Sequence, residues 1–278
     1  MKISEAIKIW LNYHRMSSKK NTIRSYEFIA KKICLDLGEI DISEVTTDNV
    51  LKFLERVAGH CKPHTKRGRF SFISAFFNFI QQNIDPKFDN PCDNPLLRKL
   101  FRPKCKTHWD ILPKETVDEI IFRTTKKRDR LMLELMARGG MRVGEVLKLK
   151  FADVHGQKLI LQQPKSGKEQ EAVFIPQKLA DRLMDYANEV CKNPSDRIFP
   201  ITYETARSAV RKAGNLVGVN LRPHDLRRHS ATYASRSGVP IEIVSKIILR
   251  HANLSTTQEY LGKISDTEAT RWIETLYA

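Results

Sequence analysis

"KLILQQPKSGKEQEAVFIP", residues 158–176, carries the one convincing β signal in the chain. Two short runs rich in Leu, Ile, Val and Phe flank a Ser166-Gly167 pair, which reads as a hairpin around a tight turn. Around it the apolar residues recur at helical spacing. Helical patterns run at about 114–125, 128–138 and 142–149 on its N-terminal side, and the chain after the hairpin reads as helical to its end. The expected fold class is therefore mainly α with a small β-sheet.

Further upstream, residues 3 to about 82 read as four helices with no alternating segment among them. Ile3, Ile7, Trp10 and Leu11 give the first apolar stripe. Ile23, Tyr26, Ile29, Ala30 and Ile33 give the second, and Val50, Phe53, Leu54 and Val57 the third. "FSFISAFFNFI" gives the fourth. "TTDNV" supplies side-chain oxygens at the start of the third helix, where a backbone N–H lacks a partner. Ahead of the fourth lies "HCKPHTKRGRF", with Lys62, Lys66, Arg67 and Arg69 beside His60 and His64. An isolated cluster of this kind is as often a solvated helix face as a binding surface. Between residues 85 and 113, Pro86, Pro91, Pro95, Pro103 and Pro113 interrupt regular structure. The expected organisation is a helical domain over 1–84, a linker over 85–112 and a mixed domain over 113–278.

The 278 residues suffice for two cores, and 48 Lys and Arg against 32 Asp and Glu leave a formal charge of +16. Such an excess favours a polyanionic partner, nucleic acid or an anionic membrane surface. No apolar run approaches the roughly 18 residues of a spanning helix, which weakens the membrane option and points to the cytoplasm. The five cysteines are widely spaced without a C-x-x-C pair, so reduced thiols are expected and neither a disulfide framework nor a zinc site is suggested.

Three stretches carry the residues suited to chemistry. In "ARGGMRVGEVLKL", Arg142 and Glu145 stand three apart at a helix start, so they share a face, and two glycines before them permit close backbone approach. In "RPHDLRRHSATYASRSG", residues 222–238, Pro223 suits a first helical turn and His224 and Arg227 again stand three apart. In "LRHANLSTTQEYLG", His251 precedes Tyr260, with Ser255 and Gln258 at capping-box spacing to begin a short helix carrying the tyrosine. Each pattern alone has a plain structural reading as a surface ion pair or a packed ring.

Together, in this order and with these flanking residues, they resemble the tyrosine recombinases, the phage integrase and Xer class of site-specific recombinases. The resemblance covers essentially the whole chain. It implies an all-helical N-terminal core-binding domain and a mixed α+β catalytic domain. It implies Arg142, His224, Arg227 and His251 as catalytic residues, Glu145 in support and Tyr260 as nucleophile. The family's hairpin lysine falls on Lys165, with Lys168 as the alternative or as a phosphate contact. Arg250 departs from the pattern, since many members have glycine before this histidine; it could alter packing or add a DNA contact.

The residue types suit the implied reaction. In-line attack on a phosphodiester gathers negative charge on the non-bridging oxygens, and positioned guanidinium forks stabilise that charge. A tyrosine nucleophile yields a covalent 3′-phosphotyrosyl intermediate that conserves the bond energy, so no ATP is expected, and with two arginines, two histidines and a lysine carrying the electrostatic task no metal is expected either. Lys62, Lys66, Arg67, Arg69 and Lys168 become expected contacts to double-stranded DNA. The resemblance further implies a tetramer on paired sites, with accessory proteins in some cases. The terminal helix at 264–278, with Ala269, Trp272, Ile273 and Leu276 on one face, would then be exchanged between protomers or dock on its own domain. A non-catalytic DNA-binding regulator and a type IB topoisomerase are the rival readings. The former is weakened because the second helix of the apparent helix-turn-helix, Ile241 to Leu249, is largely apolar and reads as buried.

Overall fold

The computed structural model describes residues 1–102, 109–162, 164, 169–261 and 266–277. They fall into two compact units, Met1–Thr107 and His108–Ala278. The described residues are mainly helical, with one three-stranded antiparallel sheet among those of the second unit.

The first unit contains α1 (Ile3–Ser17), α2 (Lys20–Leu37), α3 (Thr47–Ala58), α4 (Pro63–Asn83) and α5 (Pro95–Leu100). The stripe Ile3, Ala6, Ile7 and Trp10 is buried as its spacing requires. Trp10 anchors the core, its ring 4.4 Å from Tyr26 and 5.3 Å from Phe76. Thr46 caps α3 by accepting from the Asn49 amide, and Asn49 returns a bond to the Thr46 amide. α4 begins earlier than its apolar pattern implies. Pro63 occupies its first turn, where the missing N–H has no intrahelical partner to lose, so His64, Lys66, Arg67 and Arg69 lie within the helix and not ahead of it. The proline-rich segment also differs from a plain linker. Phe88, Cys92, Leu97 and Phe101 are buried in this unit's core, and Pro95 opens α5 with Asn94 as its cap. Burial pushes the Cys92 thiol up to about 12.

In the second unit α6 (Lys114–Arg123) leads to α7 (Lys127–Arg138), whose Leu131 to Ala137 are all buried because α6, α8, α9, α10 and α11 pack around it. Glu134, within that run, is neutralised by Arg182 at 2.7 Å and Arg138 at 3.8 Å. α8 covers only Val143–Val146, half the expected length. The chain then turns so that the Lys150 amide donates to Asp153, and enters β1 (Val154–His155), a strand too short to leave a periodic signal. β2 (Lys158–Gln162) and β3 (Gln170–Phe174) form the expected hairpin, with Leu159 opposite Val173 and Leu161 opposite Glu171. The turn itself, with Lys165 and Lys168, lies outside the described residues.

α9 (Gln177–Val190), α10 (Tyr203–Asn215) and α11 (Pro223–Arg236) complete the core. Beyond them the chain forms α12 (Ile241–Ile243), a π-helical turn (Val244–Leu249), α13 (Leu254–Gln258) and α14 (Asp266–Tyr277). The apolar run from Ile241 is buried on one side only: Val244 and Leu249 are inside, but Ile243 and Ile247 are 46% and 40% exposed. A Cβ on Gly238 would lie 3.3 Å from the Trp272 ring, so α14 approaches its own unit. Among the described residues no helix is long and apolar enough to cross a membrane.

Candidate active site

The site assembles from the ends of α7, α11 and the π-helical turn. Gly140, after α7, has φ +59°, and a Cβ there would meet Ile248 Cγ2 and O at 2.8 Å. The two backbones can approach only because no side chain stands between them. Arg227, one turn into α11 and fully buried, fills the junction, donating from Nη1 to the Gly140 carbonyl and from Nη2 to the Leu249 carbonyl. Pro223 starts α11 where the sequence suggests, and Asp225 accepts from the Arg222 amide.

Arg142 stands at the N-cap of α8. Glu145 accepts its backbone N–H at 2.9 Å and its Nη1 at 2.5 Å, the pairing that the three-residue spacing predicts. The Arg142 side chain keeps 24% of its surface in solvent, whereas Arg227 keeps none. Burial would raise the Glu145 carboxyl, but Arg250, then the Arg142 amide and guanidinium, outweigh it and hold it low. Burial and the neighbouring charges of Arg142 and Arg250 pull Arg227 down to about 9.

His251 joins the two arginines through Arg227 Nη2, 3.4 Å from its Nε2. Because a guanidinium only donates, Nε2 accepts and the ring proton sits on Nδ1, facing Thr257 Oγ1 at 3.0 Å. Thr257 in turn donates to Ser245 Oγ at 2.8 Å. Desolvation, then Arg227, Arg142 and Arg250, lower the His251 pKa to about 4, so the imidazole is neutral near pH 7. His224 lies on the exposed side of α11, where partial desolvation and then Arg228, Arg227 and Arg142 also lower its pKa.

Tyr260 packs its ring 5.0 Å from His251, with the Arg227 and Arg228 guanidiniums 5.9 Å and 5.8 Å from its centroid. Thr232 of α11 donates to its backbone carbonyl at 3.2 Å. It lies in the turn just after α13 and not inside the helix. The cap of that helix is Asn253, which accepts from the Ser255 amide, so Ser255 is within the helix.

Arg142, Glu145, Arg227, His251 and Tyr260 are thus gathered in one place, with His224 at its edge. Lys165 and Lys168 are outside the described residues. Lys62, Lys66, Arg67 and Arg69 belong to the first unit, where Lys62 and Arg67 are exposed and Arg69 lies 5.5 Å over the Phe28 ring. Three residues at the site, Ser245, Thr257 and Arg228, were not singled out from the sequence. Ser245 and Thr257 orient His251, and the only trace of Ser245 is a hydroxyl inside an apolar run. Arg228 stacks on Trp109 at 3.6 Å and pairs with Asp225 at 2.9 Å. Arg250 is buried against Glu145 at 2.7 Å, with 3% of its side chain exposed, which excludes the DNA-contact reading for it in this arrangement. His229 is an ordinary core histidine, bonded to the Leu112 carbonyl at 2.9 Å. Among the described residues no three His, Cys, Asp or Glu gather as metal ligands would.

Fold and site together describe a phosphodiester-directed enzyme of the kind in which guanidiniums surround a tyrosine. The chain belongs to the phage integrase family, which its residues 111–265 match, and is a tyrosine recombinase, an enzyme that breaks and rejoins DNA strands site-specifically. Tyrosine recombinase XerA of Pyrococcus horikoshii is 30% identical over 272 residues, covering 92% of this chain and 88% of XerA. Among solved structures, the Tn1549 transposon integrase in complex with a circular-intermediate DNA has a similar fold, with a TM-score of 0.77 at 14% identity over 99% of both chains. A lambda integrase tetramer bound to a Holliday junction gives a TM-score of 0.71 at 18% identity, covering 91% of this chain and 78% of that one.

Proposed function

We propose that Tyr260 is the nucleophile of the recombination reaction and that Arg142, Arg227, His224 and His251 are its electrostatic partners. The Tyr260 oxygen attacks the scissile phosphorus in line. The P–O5′ bond breaks as the new 3′-phosphotyrosyl bond forms, and the departing 5′ oxygen takes a proton from a general acid, the role assigned to Lys165. Attack by the free 5′ hydroxyl of a second strand reverses each step, so strands are exchanged without an external energy source. A phenol is a weak acid, so the attack needs neighbouring cations to favour the phenolate and a neutral imidazole of the site to take its proton. Arg142, partly exposed, meets the phosphate first. Arg227 contributes its charge from within the site, where backbone carbonyls hold its Nη groups and its buried Nε has no hydrogen-bond partner among the described residues.

The observation that carries this reading is the meeting of Arg142, Arg227, His251 and Tyr260, drawn from separated segments, around one spot. The DNA in the two solved integrase complexes supports double-stranded DNA as the partner. The lambda integrase tetramer bound to a Holliday junction supports a four-protomer assembly on paired sites; exchange of α14 between protomers would require Trp272 to leave its place beside Gly238. The first unit, with Lys62, Lys66, Arg67 and Arg69, is proposed as the non-catalytic half of a DNA clamp.

The test is a nicked suicide duplex carrying the recombination site, selected from a random-sequence duplex library by the Tyr260→Phe variant. Wild type is expected to form a protein–DNA adduct that survives denaturing electrophoresis, and Tyr260→Phe to bind the duplex without forming one. An adduct of equal yield from Tyr260→Phe would remove the assignment. Relaxation of supercoils without joined products from two sites would favour the topoisomerase reading.

A further inference from the structure

Arg250 has φ +53° and ψ +47°, the left-handed region that favours glycine, and is the non-glycine residue with positive φ among those described. A backbone conformation of this kind persists when its surroundings over-determine it. Here the surroundings are two carboxylates and two carbonyls. Arg250 Nη2 donates to Glu145 Oε2 at 2.7 Å, and Nε lies 3.7 Å from Glu171 Oε2. Nη1 donates to the Ile248 carbonyl at 2.8 Å, and Nη2 also faces the Gly140 carbonyl at 3.4 Å.

The strand register explains why Glu171 is there. Leu159 and Leu161 face inward on β2, and their partners Val173 and Glu171 share that face. An acid pointing into the core needs a buried cation, and Arg250 is the one it meets. Glu145 is in a similar position: its Oε2 accepts from both the Arg142 amide and Arg250, which leaves Oε1 for Arg142 Nη1. Without Arg250, two buried carboxylates would compete for Arg142 and Arg227. With it, the same two are shared among three guanidiniums, and Arg142 keeps a net attraction for phosphate. The left-handed turn at Arg250 also delivers His251, whose amide closes back on Ser245 O at 2.9 Å, to Arg227.

We infer that Arg250 is a positioning residue for strand cleavage: its guanidinium fixes the Glu145 carboxylate that orients Arg142, and holds Glu171 away from the phosphate-binding cations. The inference rests on the reading of Arg142 as a phosphate contact. Arg250 touches no substrate atom itself. Its removal should slow the chemical step with little weakening of the hold on DNA, because most of that hold comes from phosphate contacts away from the scissile linkage.

The experiment measures adduct formation on the selected nicked suicide duplex, at saturating protein, alongside duplex affinity and thermal unfolding. Wild type must form the adduct, and its failure to do so would count against the proposed function itself. Arg250→Gly, which removes the backbone conflict, is expected to lower the cleavage rate about 10–100-fold. Its DNA affinity should stay within about threefold of wild type, since its contribution is indirect. Adding Glu145→Gln to Arg250→Gly should cost less than the same change costs wild type, because the two act as one unit. If Arg250→Gly does not fold, Arg250→Lys decides, keeping the charge and losing the planar fork: slowed cleavage supports the inference. Either folded variant cleaving at the wild-type rate overturns it, as does a rate loss matched by an equal loss of DNA affinity, or full additivity with Glu145→Gln.

Discussion

Arg227 and Arg67 are the same residue type used in opposite ways. Arg227 is fully buried, its guanidinium tied to the carbonyls of Gly140 and Leu249 and crowded by two further arginines. Arg67 stands exposed on α4 among Lys62, Lys66 and Arg69. A buried, hydrogen-bonded charge is fixed in direction and acts through a low dielectric, so it can stabilise charge that develops at one atom. Solvated charges are screened within a Debye length and act together as a field for a polyanion. The comparison separates two kinds of positive charge within a net of +16: one aimed, one diffuse.

The sharpest way to break this contrast is to remove the aimed charge. Arg227→Ala should lower the rate of adduct formation by about 10²–10³-fold or more, the usual cost of losing one positioned donor. It should also destabilise the second unit by about 2–4 kcal/mol, because two buried carbonyls lose their donor. Arg227→Lys restores the charge but not the planar fork, so cleavage should recover only in part. Rates on the suicide duplex and urea unfolding check both. Next in size is Gly140→Ala. The added Cβ meets Ile248 at 2.8 Å and φ is +59°, so a loss of about 1–3 kcal/mol is expected in urea unfolding, with slower cleavage as the Gly140 carbonyl shifts.

A smaller effect follows from the imidazole beside those cations. His251 titrates near 6.5 when unfolded and about 4 when folded, so between those values the unfolded chain binds the extra proton. Its contribution to stability is complete above pH 6.5 and declines as pH falls towards 4. Urea unfolding at pH 7.5 and pH 5 should show that loss, and His251→Gln should make it shallower. Smallest for the chemistry are the diffuse charges. Arg67→Ala should leave cleavage at saturating protein within about twofold, while reducing the salt dependence of duplex binding by about 0.9 in log–log slope if one phosphate contact is lost.

What could be read from the sequence followed the same division between local and assembled features. The β2–β3 hairpin, the Thr46 cap and the Arg142–Glu145 pair depend on residues a few positions apart, where spacing alone fixes geometry. α5 was hidden because Pro95 was read as a break, although a proline in the first turn of a helix starts one. Ser255 stands at capping-box spacing from Gln258, but the helix starts earlier: Asn253 is the cap and accepts from the Ser255 amide. The roles of Glu171, Ser245 and Thr257 are not legible because their partners come from different elements and no period links them. Arg250 stands out in the sequence only as a departure from the family's glycine, open to a packing role or a DNA contact. Only the inward face of β3 and the left-handed backbone reveal why it is buried.

The most direct test of the account is to identify the atom to which DNA becomes attached. After adduct formation on the nicked suicide duplex, nuclease trimming and trypsin digestion would release residues 251–263, which contain Tyr260 as their single tyrosine, bearing the remaining nucleotide. Fragment masses placing the phosphate on the Tyr260 oxygen are the predicted result. Attachment to any other residue would contradict it.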